Sequence, residues 1–124
     1  MAAPDYFEVI GTRGFYRPVA AVTFERALDL VAAAIAYARG RGLTDVLANT
    51  TGLTGFASPS TFERYQMAVR WAEAAGGSIR VALVARREIM DPQKIAVLMA
   101  QNRGVNGDVF TDEVSALAWL DARI

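Results

Sequence analysis

Residues 80–85 read RVALVA, five apolar side chains in a row behind a single arginine. A run this short and this uniformly apolar reads as a β-strand buried on both faces, as parallel strands are when helices cover the sheet. Gly76-Gly77 closes a helical pattern just before it, and Arg86-Arg87-Glu88 follows it. A parallel strand needs parallel neighbours, and each such neighbour needs a crossover connection. The fold class therefore turns on whether helix and strand patterns alternate on either side of this stretch.

They do. Upstream, Ser58-Pro59-Ser60-Thr61-Phe62-Glu63 combines Pro59, suited to a first helical position, with the capping-box pair Ser60 and Glu63, so a helix is expected from there to Gly76-Gly77. Val46 to Ala48 is a short apolar strand entered from Thr44-Asp45. Before it, Thr23 offers an N-cap, Glu25 sits in the first turn, and Phe24, Leu28, Val31 and Ile35 recur at helical spacing until Gly40 and Gly42. Residues 6–10 alternate, residues 11–14 make a turn, and residues 15–22 form a second run, which together predict a hairpin. Pro18 lies inside that run and cannot donate to a ladder, so its position faces away from a partner or marks a bulge.

Downstream, Asp91-Pro92 opens a third helix with Ile95, Leu98, Met99 and Asn102 on one face and Gly104 after its end. Residues 108–110 form the last strand. Thr111 or Asp112 caps a fourth helix, Val114, Leu117 and Leu120 give it an inward stripe, and Trp119 seats it on the sheet. The order is ββαβαβαβα. It predicts an α/β protein with a single five-stranded, mostly parallel sheet, one antiparallel strand from the opening hairpin, and about four helices, all in one domain over residues 1–124.

Composition removes several chemistries. The 124 residues contain no cysteine and no histidine. Disulfides, thiolate nucleophiles and the usual neutral-pH base are therefore absent, and a zinc site is not expected. No cofactor, metal or catalytic residue is expected. Thirteen basic and thirteen acidic side chains cancel, so no excess charge draws the chain to nucleic acid. No apolar run approaches the ~18 residues of a membrane span, and the amino terminus lacks a basic leader with an apolar stretch behind it. The expectation is a cytoplasmic protein that does not span a membrane.

Three stretches carry a resemblance to a known family: DVLANTTGLTG at residues 45–55, IRVALVA at residues 79–85, and GDVFTDEVSALAWL at residues 107–120. With the element order, they make the chain similar to the STAS domain family, and more narrowly to its SpoIIAA-like (STAS/SEC14-like) branch of small bacterial proteins. In the anti-sigma-factor antagonists of that family, the strand after the first helix ends in Asp-Ser-Ser-Gly-Leu and the second serine is phosphorylated. Asn49-Thr50-Thr51-Gly52-Leu53 lies over that motif, so the resemblance implies Thr51 as phospho-acceptor, with Thr50 beside it. Here Asn49 stands in place of the acidic residue, and residues 54–59 lengthen the loop before the next helix.

Ligands in an open α/β sheet gather at the carboxyl ends of the parallel strands. In this chain those ends carry Thr23, the loop from Asn49 through Gly52 and Ser58 to Ser60, Arg86-Arg87-Glu88, and Thr111-Asp112. Free amides at the start of the second helix suit an anion, with Arg86 or Arg87 as partners for a phosphate on Thr51. The bland alternative is a glycine turn whose hydroxyls satisfy local amides, beside two solvated arginines. On the second helix, Arg64 falls inside the apolar arc close to the loop, where its stem covers apolar surface and its head reaches an anion or carboxylate. Met67 and Trp71, one turn apart at the border of that arc, read either as a partner or homodimer patch or as packing against a neighbouring helix.

These features point first to a non-catalytic regulatory or protein-interaction module with an unidentified protein partner. The alternative is a carrier of an apolar small molecule or lipid that uses the strand-end loop and the second helix.

Overall fold

The computed structural model describes residues 2–90 and 94–122. The central strand, β6 (Arg80–Val84), lies between β4 (Asp45–Asn49) and β7 (Asn106–Phe110), parallel to both. Beyond β4 come β2 (Arg13–Tyr16), also parallel, and β1 (Phe7–Ile10), antiparallel to β2 across the two-residue turn Gly11-Thr12. The sheet order is β1-β2-β4-β6-β7, the five-stranded mixed sheet expected from the alternating pattern.

Over the described residues three helices connect strands, α1 (Phe24–Gly40), α2 (Thr61–Ala75) and α3 (Ile95–Asn102), and α4 (Glu113–Asp121) follows the last strand. Their starts follow local chemistry. The Thr23 hydroxyl accepts from the Arg26 amide, Ser60 and Glu63 close a full capping box, and the Asp112 carboxylate accepts from the Ser115 amide. Asp112 rather than Thr111 is the cap, and Pro59 stands one position before the cap rather than inside the helix. The opening of α3 assigned to Asp91-Pro92 lies outside the described residues. Lys94, immediately before α3, has a left-handed backbone at φ 52°.

The strand period divides the sheet into two unequal faces. Val46, Ala48, Val81, Leu83 and Val109 point to the side covered by α1, α2 and α3, where Val31, Ala34, Ile35 and Ala38 of α1 meet them. Leu47, Ala82 and Val84 point the other way, toward Ala116 and Leu120 of α4. Trp119 seats α4 as expected, with its ring beside Phe110 and under the Arg80 guanidinium. Val114 does not join the inward stripe. It is 79% exposed, because a nine-residue helix resting on the sheet buries one narrow line of side chains, and Ala116 and Leu120 form it.

The run at residues 15–22 is not one strand. β2 stops at Tyr16, and the chain resumes as β3 (Ala20–Ala21) in a separate two-stranded sheet with β5 (Leu53–Thr54). Pro18 lies in the break, where its missing N–H interrupts no ladder. The loop at residues 50–60 thus acquires a strand of its own, paired with a segment more than thirty residues earlier.

Candidate functional site

Backbone pairing pins the loop after β4. The Thr50 amide donates to the Val84 carbonyl at 2.8 Å, the Ala20 amide to Gly52 at 3.2 Å, and the Val22 amide to Thr54 at 2.7 Å. Two glycines permit this approach. A Cβ on Gly52 would stand 2.5 Å from the Pro18 carbonyl oxygen, and one on Gly55, at φ +101°, would stand 2.6 Å from that of Val22. Once pinned, the loop turns Leu53 inward to 1% exposure and sets the Phe56 ring edge-on to Phe24 of α1, with centroids 5.9 Å apart.

Leu53, Phe56 and Pro59 form one wall of a cavity of about 110 Å³. Its other walls are Phe24, Ala27, Leu28 and Val31 of α1, Met67 and Trp71 of α2, Val97 and Ala100 of α3, and Val81, Leu83 and Val109 of the sheet. The helices bridge the sheet without filling the space beneath, partly because Ala27, Ala85, Ala100 and Gly107 are small. A water molecule needs roughly 10–15 Å³ on a comparable measure, so this cavity is several times larger than a packing defect.

The polar side chains of the lining are Thr50, Arg64, Arg86, Lys94 and Asp108. Thr50 Oγ1 donates to the Val84 carbonyl at 2.9 Å, and Lys94 pairs with Asp108 at 2.9 Å. The two arginines differ from these. Arg64 donates to Ser58 Oγ at 3.2 Å and to the Ile89 carbonyl at 3.1 Å, and Arg86 donates to the Leu53 carbonyl at 3.3 Å. Among the described residues neither donates a hydrogen bond to a carboxylate; Glu88, 70% exposed, stands 4.0 Å from Arg86. The indole Nε1 of Trp71 is buried and likewise has no acceptor among the described residues.

Thr51, next to Thr50 in sequence, belongs to a different arrangement. Its hydroxyl and amide both donate to Asn49 Oδ1, at 2.7 and 3.0 Å. Asn49 Nδ2 in turn donates to Glu113 Oε2 at 2.7 Å, and Arg17 holds the same carboxylate with two hydrogen bonds of 2.8 and 2.9 Å. The bonds from Arg17 keep the Glu113 carboxyl below its ordinary range. Partial burial works against this shift, and the bond from Asn49 adds to it. The Asp112 carboxyl is lowered by the amide and hydroxyl of Ser115, which it caps.

The candidate residues therefore separate into groups. Thr50, Arg64, Arg86, Met67 and Trp71 share the cavity, with Met67 and Trp71 half-buried in its wall. Asn49 and exposed Thr51 lie with Arg17 and Glu113. Gly52 serves the close approach to Pro18, Ser60 and Asp112 serve as helix caps, Ser58 accepts from Arg64, and Arg87 is exposed. Arg17 and Glu113 had no signal in the sequence, being 96 positions apart. The cavity residues Val97 and Ala100 were also missed, since a wall residue and a packed core residue share the same helical spacing, as was Ile89, which lies in the turn after β6 where no periodicity applies.

The molecule is an α/β protein with a mixed five-stranded sheet, three helices over one face and one over the other, and an apolar cavity under the three. Comparison with protein-family models, with curated proteins and with solved structures finds no match. Among the described residues no helix is long and apolar enough to cross a membrane.

Proposed function

We propose that this protein binds a small apolar molecule in the cavity between the sheet and helices α1, α2 and α3. The observation that carries the reading is the cavity itself, walled by side chains from all three helices, the sheet and the β5 loop, with few polar groups among its mostly apolar lining. Such a space costs stability when empty, since its lining lacks dispersion partners on one side. Native mass spectrometry of freshly purified protein and uptake of an environment-sensitive apolar dye test the proposal. Ala100→Phe, which fills the space from α3, is expected to abolish uptake while circular dichroism stays unchanged. No co-purified mass together with no dye uptake by the natural chain would sink the reading.

A second reading, a regulatory module that docks another protein and resembles the STAS antagonists, is supported by the exposure of Thr51 on the strand-end loop. In this reading a phosphate on Thr51 enters beside Glu113, displaces the Thr51–Asn49 hydrogen bond and competes for Arg17. Pull-downs with Thr51→Glu and Thr51→Ala are expected to recover different partners. Identical recoveries would remove the switch.

A further inference from the structure

The charge distribution around the cavity narrows its occupant. Three cationic side chains and one carboxylate stand in the lining, and Lys94 already neutralises the carboxylate, Asp108. Among the described residues Arg64 and Arg86 donate hydrogen bonds only to neutral oxygens, with the exposed Glu88 carboxylate 4.0 Å from Arg86. A guanidinium has five N–H groups in a planar fork that matches a carboxylate or phosphate. Among the described residues Arg64 donates to Ser58 and Ile89 and Arg86 to Leu53, fewer bonds than either guanidinium has donors.

The two guanidinium groups are also held in place. Arg64 reaches across from the first turn of α2 to the Ile89 carbonyl, and the Ile89 amide donates to the Arg86 carbonyl at 2.9 Å. Arg86 reaches the β5 backbone at Leu53, which is part of the cavity wall. Arg64 is half-buried, and the Arg86 side chain is 32% exposed, so each charge is partly stripped of water beside apolar walls. Partial desolvation strengthens an interaction with an arriving anion.

We propose that the occupant is a single-chain amphiphile with an anionic head, its chain among Leu28, Leu53, Met67 and Trp71 and its head on Arg64 and Arg86. This inference rests on the cavity-binding reading and adds the requirement for a negative charge. Alcohols and amines of the same chain length lack the group that the two arginines select. The ligand is taken as a free molecule, and a membrane surface presenting the same chemistry is the competing source.

The test uses the Trp119→Phe background, in which Trp71 is the sole tryptophan and lies in the cavity wall. Its emission is followed during titration with decanoate, decan-1-ol and vesicles of phosphatidylglycerol, each soluble ligand kept monomeric. Decanoate is expected to bind about tenfold or more tightly than decan-1-ol. In Arg64→Gln/Arg86→Gln that preference is expected to fall below about twofold, with decanol affinity retained. Equal binding of decanoate and decanol by the natural arginines overturns the anionic-head proposal and leaves the cavity-binding reading standing. A response to vesicles without one to decanoate also overturns it, in favour of a membrane source. No response to any of the three removes the cavity-binding reading itself. The decanoate–decanol comparison needs no arginine variant, so it decides the matter even if the double variant folds poorly.

Discussion

Among the described residues Asp45 is the buried charged residue of the core, 2% exposed at the start of β4. Its partner is Arg13, directly opposite in the β2–β4 register, which grips both carboxylate oxygens at 2.8 and 3.3 Å. Asp45 is also the chief reason that the Arg13 guanidinium holds its proton more firmly than usual. Arg13→Met keeps most of the stem and removes the charge, leaving a carboxylate with almost no access to water. Breaking a buried pair from one side typically costs about 3–5 kcal/mol, because the remaining charge is uncompensated. The further contact of Arg13 with Asp121, which is 67% exposed, adds little. In a domain of this size each kcal/mol corresponds to roughly 3–6 °C in Tm, so the loss should appear as a fall of roughly 9–30 °C. Urea unfolding followed by tryptophan emission and far-UV circular dichroism measures it. The double variant Arg13→Met/Asp45→Leu should recover most of the loss, since an apolar replacement leaves no orphaned charge. A single-variant loss below about 1 kcal/mol, the scale of an exposed surface pair, would refute the reasoning, as would a double variant no better than the single one.

Other outcomes follow from the same geometry. Arg70→Ala removes the α2 partner of Asp29, but with side chains 40% and 46% exposed the pair should contribute less than about 1 kcal/mol in the same urea assay. Ser60→Ala removes one half of the capping box and should cost about 1 kcal/mol. Gly52→Ala drives a Cβ against the Pro18 carbonyl, so amide exchange at Ala20 and Val22 should accelerate while exchange in β6 stays slow. Glu113, with its folded pKa depressed by Arg17, stabilises the fold above its unfolded pKa and loses that contribution as pH falls through the folded value. Glu113→Gln should therefore be less stable than the natural chain at pH 7, and the two unfolding curves should converge as pH drops below about 4.

What was legible in the sequence was local. The uniform apolarity of residues 80–85 revealed a strand covered on both sides, and the hydroxyl and carboxylate caps at Thr23, Ser60 and Asp112 satisfy amides within three residues of themselves. Arg64, placed among apolar neighbours beside the loop, does lay its stem along the cavity and send its head across, although to a hydroxyl and a carbonyl rather than a carboxylate. What was not legible depended on partners far along the chain. Residues 15–22 have strand composition throughout, but their second half pairs with Leu53–Thr54 instead of continuing β2. Periodicity placed Met67 and Trp71 at the edge of an apolar arc, and the same spacing serves a packed interface or the wall of a cavity. Val114 satisfied the helical period too, yet the footprint of α4 on the sheet excludes it.

The two-residue ladder of β3 and β5 bears on how anything reaches the interior. The main sheet is secured by strands of four and five residues, whereas the wall carrying Leu53 hangs on a pair of two-residue strands beside the glycines Gly52 and Gly55. Segments held by few backbone bonds open at a small fraction of the free energy of global unfolding. In the cavity-binding reading proposed above, opening this wall would move Leu53 and Phe56 aside while β4, β6 and the three helices stay packed, so the exchange of a guest and the stability of the fold would be governed by different bonds. On that reading, substitutions at Ala20, Ala21 or Thr54 would change a guest's residence time without disturbing the melting temperature of the core.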